Sequence, residues 1–412
     1  MDSLLDSIRV LDLTDEKGLL CGRILGDMGA DVIVVESPSG NSARRRGPFY
    51  QDTPHPERSL FWFALNTNKR SITLNLETVD GRELFKKLVR TSDFVIESFS
   101  PHHMDDLGLG YEVLAKLNPA LVMTSITPFG TQGPYASYKG ADIVLMGLSG
   151  LSYISGEPTR EPLRIPVPQS YFHAGSWAAA SSMIAFYHRE ITGQGQKVDV
   201  SMQQAATWAT YSTQEWWSYA KTNLTRQGTW RQIGTSRMQV LYPCQDGHVM
   251  LFILGGAAAA AGQDLFIEWM DKEGMCPDWL RGFDFSKLDV STATQDFFNR
   301  LSEALVSFTA TKTKAELFEW ALENTLFLAP VSNARDLLEN PQLRARNFWI
   351  SLEHSELETS ITHPGPFAVL SETPIQVAKR APLLGEHNME IYHGELGLSN
   401  QELALLKQGE VI

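Results

Sequence analysis

Over the first 130 residues, short β-rich runs alternate with stretches whose apolar residues recur at helical spacing. The runs are Ile8–Leu13, Asp31–Glu36, Ser71–Leu76, Asp93–Ser98 and Ala120–Ile126. Leu19–Met28 and Asp80–Val89 are two of the helical stretches between them. A run such as Val32-Ile-Val-Val35 is apolar on both faces. That suits a parallel strand covered by helices on each side. The alternation predicts right-handed βαβ units in a doubly wound α/β sheet.

Further along, Tyr171–Glu190 predicts a long Ala/Ser-rich helix, Thr192-Gly-Gln-Gly-Gln196 a turn and Lys197–Ser201 another strand. A second helix starts near Met202 and carries Trp208, Trp216 and Trp217. Lys221–Arg237 is polar and reads as a linker between two domains. Val240–Tyr242 and His248–Leu254 flank Gln245-Asp-Gly247, a hairpin signal. Gly255–Gly262 reads as a loop running into a helix, and helical patterns follow at Leu265–Glu273, Thr294–Thr309 and Lys314–Glu323. The tail from His363 is Pro-rich and extended until a short helix near Asn400–Gln408. The predicted segments are 1–225, 226–345 and 346–412.

With 412 residues, 43% of them hydrophobic and 20% charged, the chain has material for two or three cores and is neither disordered nor fibrous. Lys and Arg number 35 against 48 Asp and Glu, a net of −13. So acidic a chain lacks the broad basic face that nucleic acid requires. Cys21, Cys244 and Cys276 form neither a disulfide framework nor a metal spacing. The N-terminus has no signal-like apolar segment, and the uncharged run Ile165–His188 is interrupted by Pro166, Pro168 and serines. A cytoplasmic protein without membrane spans is expected.

Chemistry-bearing motifs are few. Gly193-Gln-Gly195 follows a helix rather than a strand, so it reads as a turn and not a phosphate cradle. Walker and GxSxG motifs are absent. Arg44-Arg-Arg46 follows a strand end, where it suits either a phosphate contact or a solvated loop. His102, His103 and His173 are scattered and read as structural. Among carboxylates able to act as acyl-transfer nucleophiles, Glu97 ends a strand and Asp142 reads as a helix cap.

Several segments together resemble the family III CoA-transferases, the group of formyl-CoA transferases, carnitine CoA-transferases and acyl-CoA racemases. They are Ile8–Thr14, Leu25–Ile33, Asn68–Leu74, Leu107–Tyr111, Phe129–Pro134, Thr192–Ser201 and Pro382–His387, in family order along nearly the whole chain. The resemblance implies a large Rossmann-like domain built from the N-terminal half and the C-terminal segment, a smaller α+β domain between, and two chains interlocked as a dimer. It implies CoA thioesters as substrates and no further cofactor or metal.

Family chemistry runs through an aspartate at the start of the helix after the Pro-rich loop. The matching position here is Tyr171, a phenol of pKa about 10 and a poor nucleophile at neutral pH. The histidine of the racemase members is matched by Ala141. The resemblance carries CoA binding onto Arg46, Leu74, Phe99 and Lys139, but Ser37 and Asp106 stand where family members place arginines. The expectation is a non-catalytic subunit paired with an Asp-bearing sister chain, as in the branch that moves CoA from succinyl-CoA to benzylsuccinate in aromatic catabolism. The alternatives are a self-sufficient transferase or isomerase using Glu97, Asp142 or another group, and a CoA-ester binding module.

Overall fold

The computed structural model describes residues 3–412. They form two compact units: one through Leu151 with Arg164–Thr222 and Pro341–Ile412, the other Ser152–Leu163 with Asn223–Asn340.

The first unit is built on six parallel strands: β1 (Arg9–Leu13), β2 (Asp31–Glu36), β3 (Lys69–Thr73), β4 (Phe94–Glu97), β5 (Val122–Thr127) and β6 (Lys197–Ser201). Their order across the sheet is 3-2-1-4-5-6. Alternate residues supply the two faces, as a period of two requires. Leu11, Leu13, Ile33 and Val35 join one apolar cluster, and Val10 and Val32 another. Helix α1 (Leu19–Asp27) follows β1, α2 (Leu60–Leu65) precedes β3, and α3 (Val79–Val89) follows it. Leu84, Phe85 and Leu88 of α3 bury themselves on the first face. Strand β3 starts two residues earlier than the apolar run suggested, because Lys69 and Arg70 both have carboxylate partners.

Between β4 and the end of β5 lie α4 (His103–Asp106) and α5 (Tyr111–Leu117); α6 (Asp142–Leu148), α7 (Leu151–Ile154) and the long α8 (Gln169–Thr192) come before β6. Small residues let α8 lie close to α1: a Cβ on Gly175 would sit 2.8 Å from Cβ of Leu20. Gly193 ends α8 in the left-handed region at φ 72°, its N–H donating to the carbonyl of Arg189 at 2.7 Å. A Cβ on Gly195 would fall 1.9 Å from the Leu121 carbonyl oxygen. Those two constraints account for Gly193-Gln-Gly195 without a phosphate.

An ion pair is sealed beneath α1. The Lys69 ammonium donates to Asp12 at 2.8 Å, to the Leu19 carbonyl at 2.9 Å and to Asn66 at 3.0 Å. Burial lowers the Lys69 pKa and raises that of the neighbouring Cys21 thiol.

The C-terminal stretch adds an antiparallel ribbon, Trp349–His354 with Thr359–Pro364. Two buried histidines close it: Nε2 of His354 lies 3.3 Å from Nε2 of His363, with ring centroids 5.6 Å apart. So long a centroid separation leaves the two nitrogens pointing head-on, which suits one shared N–H···N bond. His354 Nδ1 faces Glu356 Oε1 at 3.0 Å, so it donates there and accepts at Nε2. Burial and the neighbouring His354 and Arg23 push the His363 pKa from 6.5 down to about 4. The unfolded chain therefore binds the proton first. Stability from this pair is complete above pH 6.5 and drains away as pH falls toward 4. The loss should be on the order of 2 kcal/mol across that window. Urea titrations against pH check this, and His363→Gln should flatten the dependence.

In the second unit, a three-stranded sheet and a ribbon pack against helices. The strands are β7 (Trp230–Ile233), β8 (Ser236–Gln239), β9 (Leu241–Cys244), β10 (Gly247–Leu251) and β11 (Leu328–Pro330). Strands β9 and β10 form the expected hairpin. Lys221–Arg237 is not a linker throughout, as its polarity predicted: its second half forms β7 and the start of β8, paired antiparallel. Ser236 and Met238 are buried there, a period-two signal too short to read through the polar residues between them. The Ala-rich stretch extends its helix to Ala257–Lys272. No helix among the described residues is long and apolar enough to cross a membrane.

Candidate functional site

Sheet order 3-2-1-4 places a ligand crevice beyond the C-terminal ends of β1 and β4, where the direction of crossover reverses. A cavity of about 230 Å³ lies there. Leu74 and Phe99 supply apolar walls, and Asp15, Glu36, Glu77 and His103 supply its ionisable groups. Thus two of the residues carried over for CoA binding come together. Lys139 does not join them: it is exposed on the loop before α6 and does not line the cavity. Arg46 lies to one side, its guanidinium 3.8 Å from Glu16 and 4.7 Å over the Phe61 ring.

The arginine run divides by role. Arg44 is fully buried, so the phosphate reading fails for it. It donates to both oxygens of Glu36, at 2.7 and 2.8 Å, to Glu57 at 2.7 Å and to the Pro382 carbonyl at 3.1 Å. Its plane lies 3.9 Å over Trp62. Glu36 also accepts from the Ser71 hydroxyl at 2.7 Å and the Asn41 N–H at 3.0 Å. Sequence reasoning missed this pair because a buried arginine and a ligand arginine look alike in a loop. The signal available was Glu36, the last residue of an apolar strand.

Tyr171 sits in the first turn of α8 and is 7% exposed. Its hydroxyl accepts the Asp142 N–H at 3.1 Å. Burial raises the phenol's pKa further; the Asp142 N–H bond opposes the rise, the Glu16 and Asp142 carboxylates add to it and Arg46 opposes it. Asp142 turns back on the same helix end. Its Oδ1 accepts the Ser170 N–H at 3.0 Å and the Ser170 hydroxyl at 2.8 Å, satisfying orphan donors of α8. Its Oδ2 is buried with no protein partner. Asp142 therefore caps, but it caps α8 across space while standing at the first position of α6.

Glu97 is also closed off. It is buried at the end of β4, accepts the Phe99 N–H at 2.8 Å, and burial pushes its pKa up to about 7. His103 packs against Phe99 with centroids 4.8 Å apart and ring planes tilted by 46°, and faces Glu77 at 3.8 Å. His102 is exposed in a left-handed turn, and His173 is half-buried on α8. Ser37, Asp106 and Ala141 are exposed.

The model of CoA-transferase family III matches residues 5–388. The chain is 36% identical over 387 residues to succinyl-CoA:(R)-benzylsuccinate CoA-transferase subunit BbsE of Thauera aromatica, covering 93% of this chain and 92% of that one. It is 31% identical over 429 residues to formyl-CoA:oxalate CoA-transferase of Streptomyces coelicolor, covering 99% of each. A crystal structure of a CAIB/BAIF family protein from Brucella suis superposes with a TM-score of 0.84 at 26% identity, over 96% of this chain and 100% of that one.

Proposed function

Because this chain belongs to CoA-transferase family III, we propose that it is the non-catalytic subunit of a heteromeric transferase. The complex moves CoA from a dicarboxylic acyl-CoA such as succinyl-CoA to an organic acid such as benzylsuccinate. Tyr171 carries the reading. The relative named a subunit of a benzylsuccinate transferase supports the substrate class and the heteromer.

The chemistry explains why a tyrosine cannot substitute. In the family reaction an aspartate oxygen attacks the acyl-CoA thioester, and the C–S bond breaks to give an acyl-aspartyl anhydride and the CoA thiolate. The thiolate then attacks the aspartyl carbonyl and releases the first acid. The aspartyl carbon now carries CoA as a thioester. The second acid's carboxylate attacks that carbon and displaces the CoA thiolate, and the thiolate then attacks the second acid's own carbonyl, forming its CoA thioester and freeing the aspartate. The two middle steps use the aspartate's carbonyl carbon. A phenol has none, so even an acylated Tyr171 could not hold CoA. Glu97 and Asp142 have such a carbon, but each is buried and hydrogen-bonded in place. That weighs against the self-sufficient alternative.

What this chain contributes is a frame and a pairing surface. Tyr171, Asp142 and Ser170 hold the start of α8. The outer side of α8 carries Trp177, Ile184, Tyr187 and Ile191, exposed at helical spacing. Such a stripe on a water-soluble surface marks a partner-binding face. The sister chain, interlocked with this one as the resemblance implies, is its proposed occupant.

The test is to trap the covalent intermediate. The complex is incubated with succinyl-CoA, treated with hydroxylamine or borohydride, digested and mapped. The adduct is expected on an aspartate of the sister chain alone. An adduct on any carboxylate of this chain would refute the proposal.

A further inference from the structure

The crevice already contains an anion of its own. In sheets of this order, a phosphate characteristically takes the free N–H groups of the turn between β1 and the following helix. Here Asp15 occupies that turn. Its Oδ1 accepts the Lys17 N–H at 3.0 Å and the Ser98 hydroxyl at 2.8 Å, and Oδ2 pairs with the Lys17 ammonium. Asp12 takes the Thr14 N–H of the same turn at 3.0 Å. Of the turn's donors, the Thr14 and Lys17 N–H groups are spent on carboxylates of the chain itself, the Asp15 N–H on the Ser98 hydroxyl, and the Gly18 and Leu19 N–H groups on the Asp15 carbonyl.

Two of the three arginines that follow β2 are paired with carboxylates as well. Arg44 is held by Glu36 and Glu57. Arg46 faces Glu16, and Arg45 lies 3.3 Å from the Ser39 carbonyl. His103 is the one basic side chain in the lining, and Glu77 stands against it. Glu77 is 70% exposed, so its charge faces incoming solute. A ligand with phosphate groups would meet Asp15 and the exposed Glu77 without an uncommitted arginine or lysine in the wall, while Glu36 is sealed behind Arg44. An exposed negative charge at the mouth of a confined crevice repels a like-charged ligand.

We propose that this crevice excludes coenzyme A, so that the assembled enzyme carries one coenzyme A per pair of chains, on the sister subunit. Leu74 and Phe99 then serve as packing walls rather than nucleotide contacts. This rests on the heteromeric reading for its stoichiometry, but the exclusion itself is a property of this chain.

Isothermal titration of the full chain with coenzyme A, and separately with pantetheine as a phosphate-free probe, tests it. Coenzyme A should give no saturable heat at concentrations that saturate the complex. The complex should bind it at half the number of chains. Glu77→Lys, at an exposed position that tolerates exchange, should tighten coenzyme A binding by about tenfold and leave pantetheine unchanged. Asp15→Asn combined with Glu77→Lys should tighten it further. Saturable binding to the unmodified chain at the complex's affinity, or no response to either variant while circular dichroism shows the fold intact, would overturn the exclusion. The silent-subunit reading would survive that result, because the location of the trapped adduct decides it separately.

Discussion

Replacing Arg44 with alanine should cost about 3–5 kcal/mol of stability, the usual loss when one partner of a buried ion pair is removed. Its side chain has no exposed surface, and neither does that of Glu36. Alanine leaves Glu36 buried with the Ser71 hydroxyl and Asn41 N–H but without a cation. It also removes the contact over Trp62 and the bond to Pro382. The damage reaches the C-terminal segment, because Glu57, freed from Arg44, also accepts the Leu384 N–H at 2.9 Å. Arg44→Met combined with Glu36→Gln removes both charges and keeps much of the volume, so it should recover most of the loss. Equilibrium urea unfolding measures each. A cost for Arg44→Ala below about 1 kcal/mol, the range of an exposed pair, would mean that the pair is hydrated and the segment held some other way.

That ion pair also shows what kind of information a sequence withholds. The sheet was legible because its signal is local: six β-rich runs, each a few residues long, lie where the strands are. The long helix α8 and the β9–β10 hairpin were legible for the same reason, whereas the helix expected from Met202 through Trp217 is broken between Met202–Trp208 and Tyr211–Glu215. The ribbon of Trp230–Ile233 and Ser236–Gln239 was hidden because edge-like strands with polar outer faces have little apolar excess. Pairings across long separations were hidden altogether. Lys69 finds Asp12 from 57 positions away, and Arg44 finds Pro382 from 338. The Pro382–His387 segment drew notice as a family motif. Its structural work is to dock on β3: the Ser71 N–H donates to His387 Nδ1 at 3.2 Å, and the His387 N–H donates to the Ser71 carbonyl at 3.0 Å.

The site was legible in one sense only. Tyr171 could be picked out by its place in a motif, and so could Leu74 and Phe99. Which acid group would answer for it could not. Asp142 drew attention as a helix cap, and it is one, but for a helix 28 positions away whose start it meets only in the folded chain. The acidic filling of the crevice was likewise distributed over Asp15, Glu36 and Glu77, three separate strand ends and turns. No local pattern joins them.

The central claim is that this chain is silent in CoA transfer and needs a sister chain. Transfer from succinyl-CoA to benzylsuccinate should be measured for this chain alone, for its co-purified complex and for complexes carrying Tyr171→Phe. The complex should exceed the chain alone on the order of 10⁴-fold or more, the scale of losing a catalytic nucleophile. Tyr171→Phe removes the hydroxyl that accepts the Asp142 N–H and should lower stability by about 1 kcal/mol. It should leave kcat of the complex within about twofold, since the hydroxyl has no chemical step. Turnover by this chain alone at the rate of the complex would contradict the account.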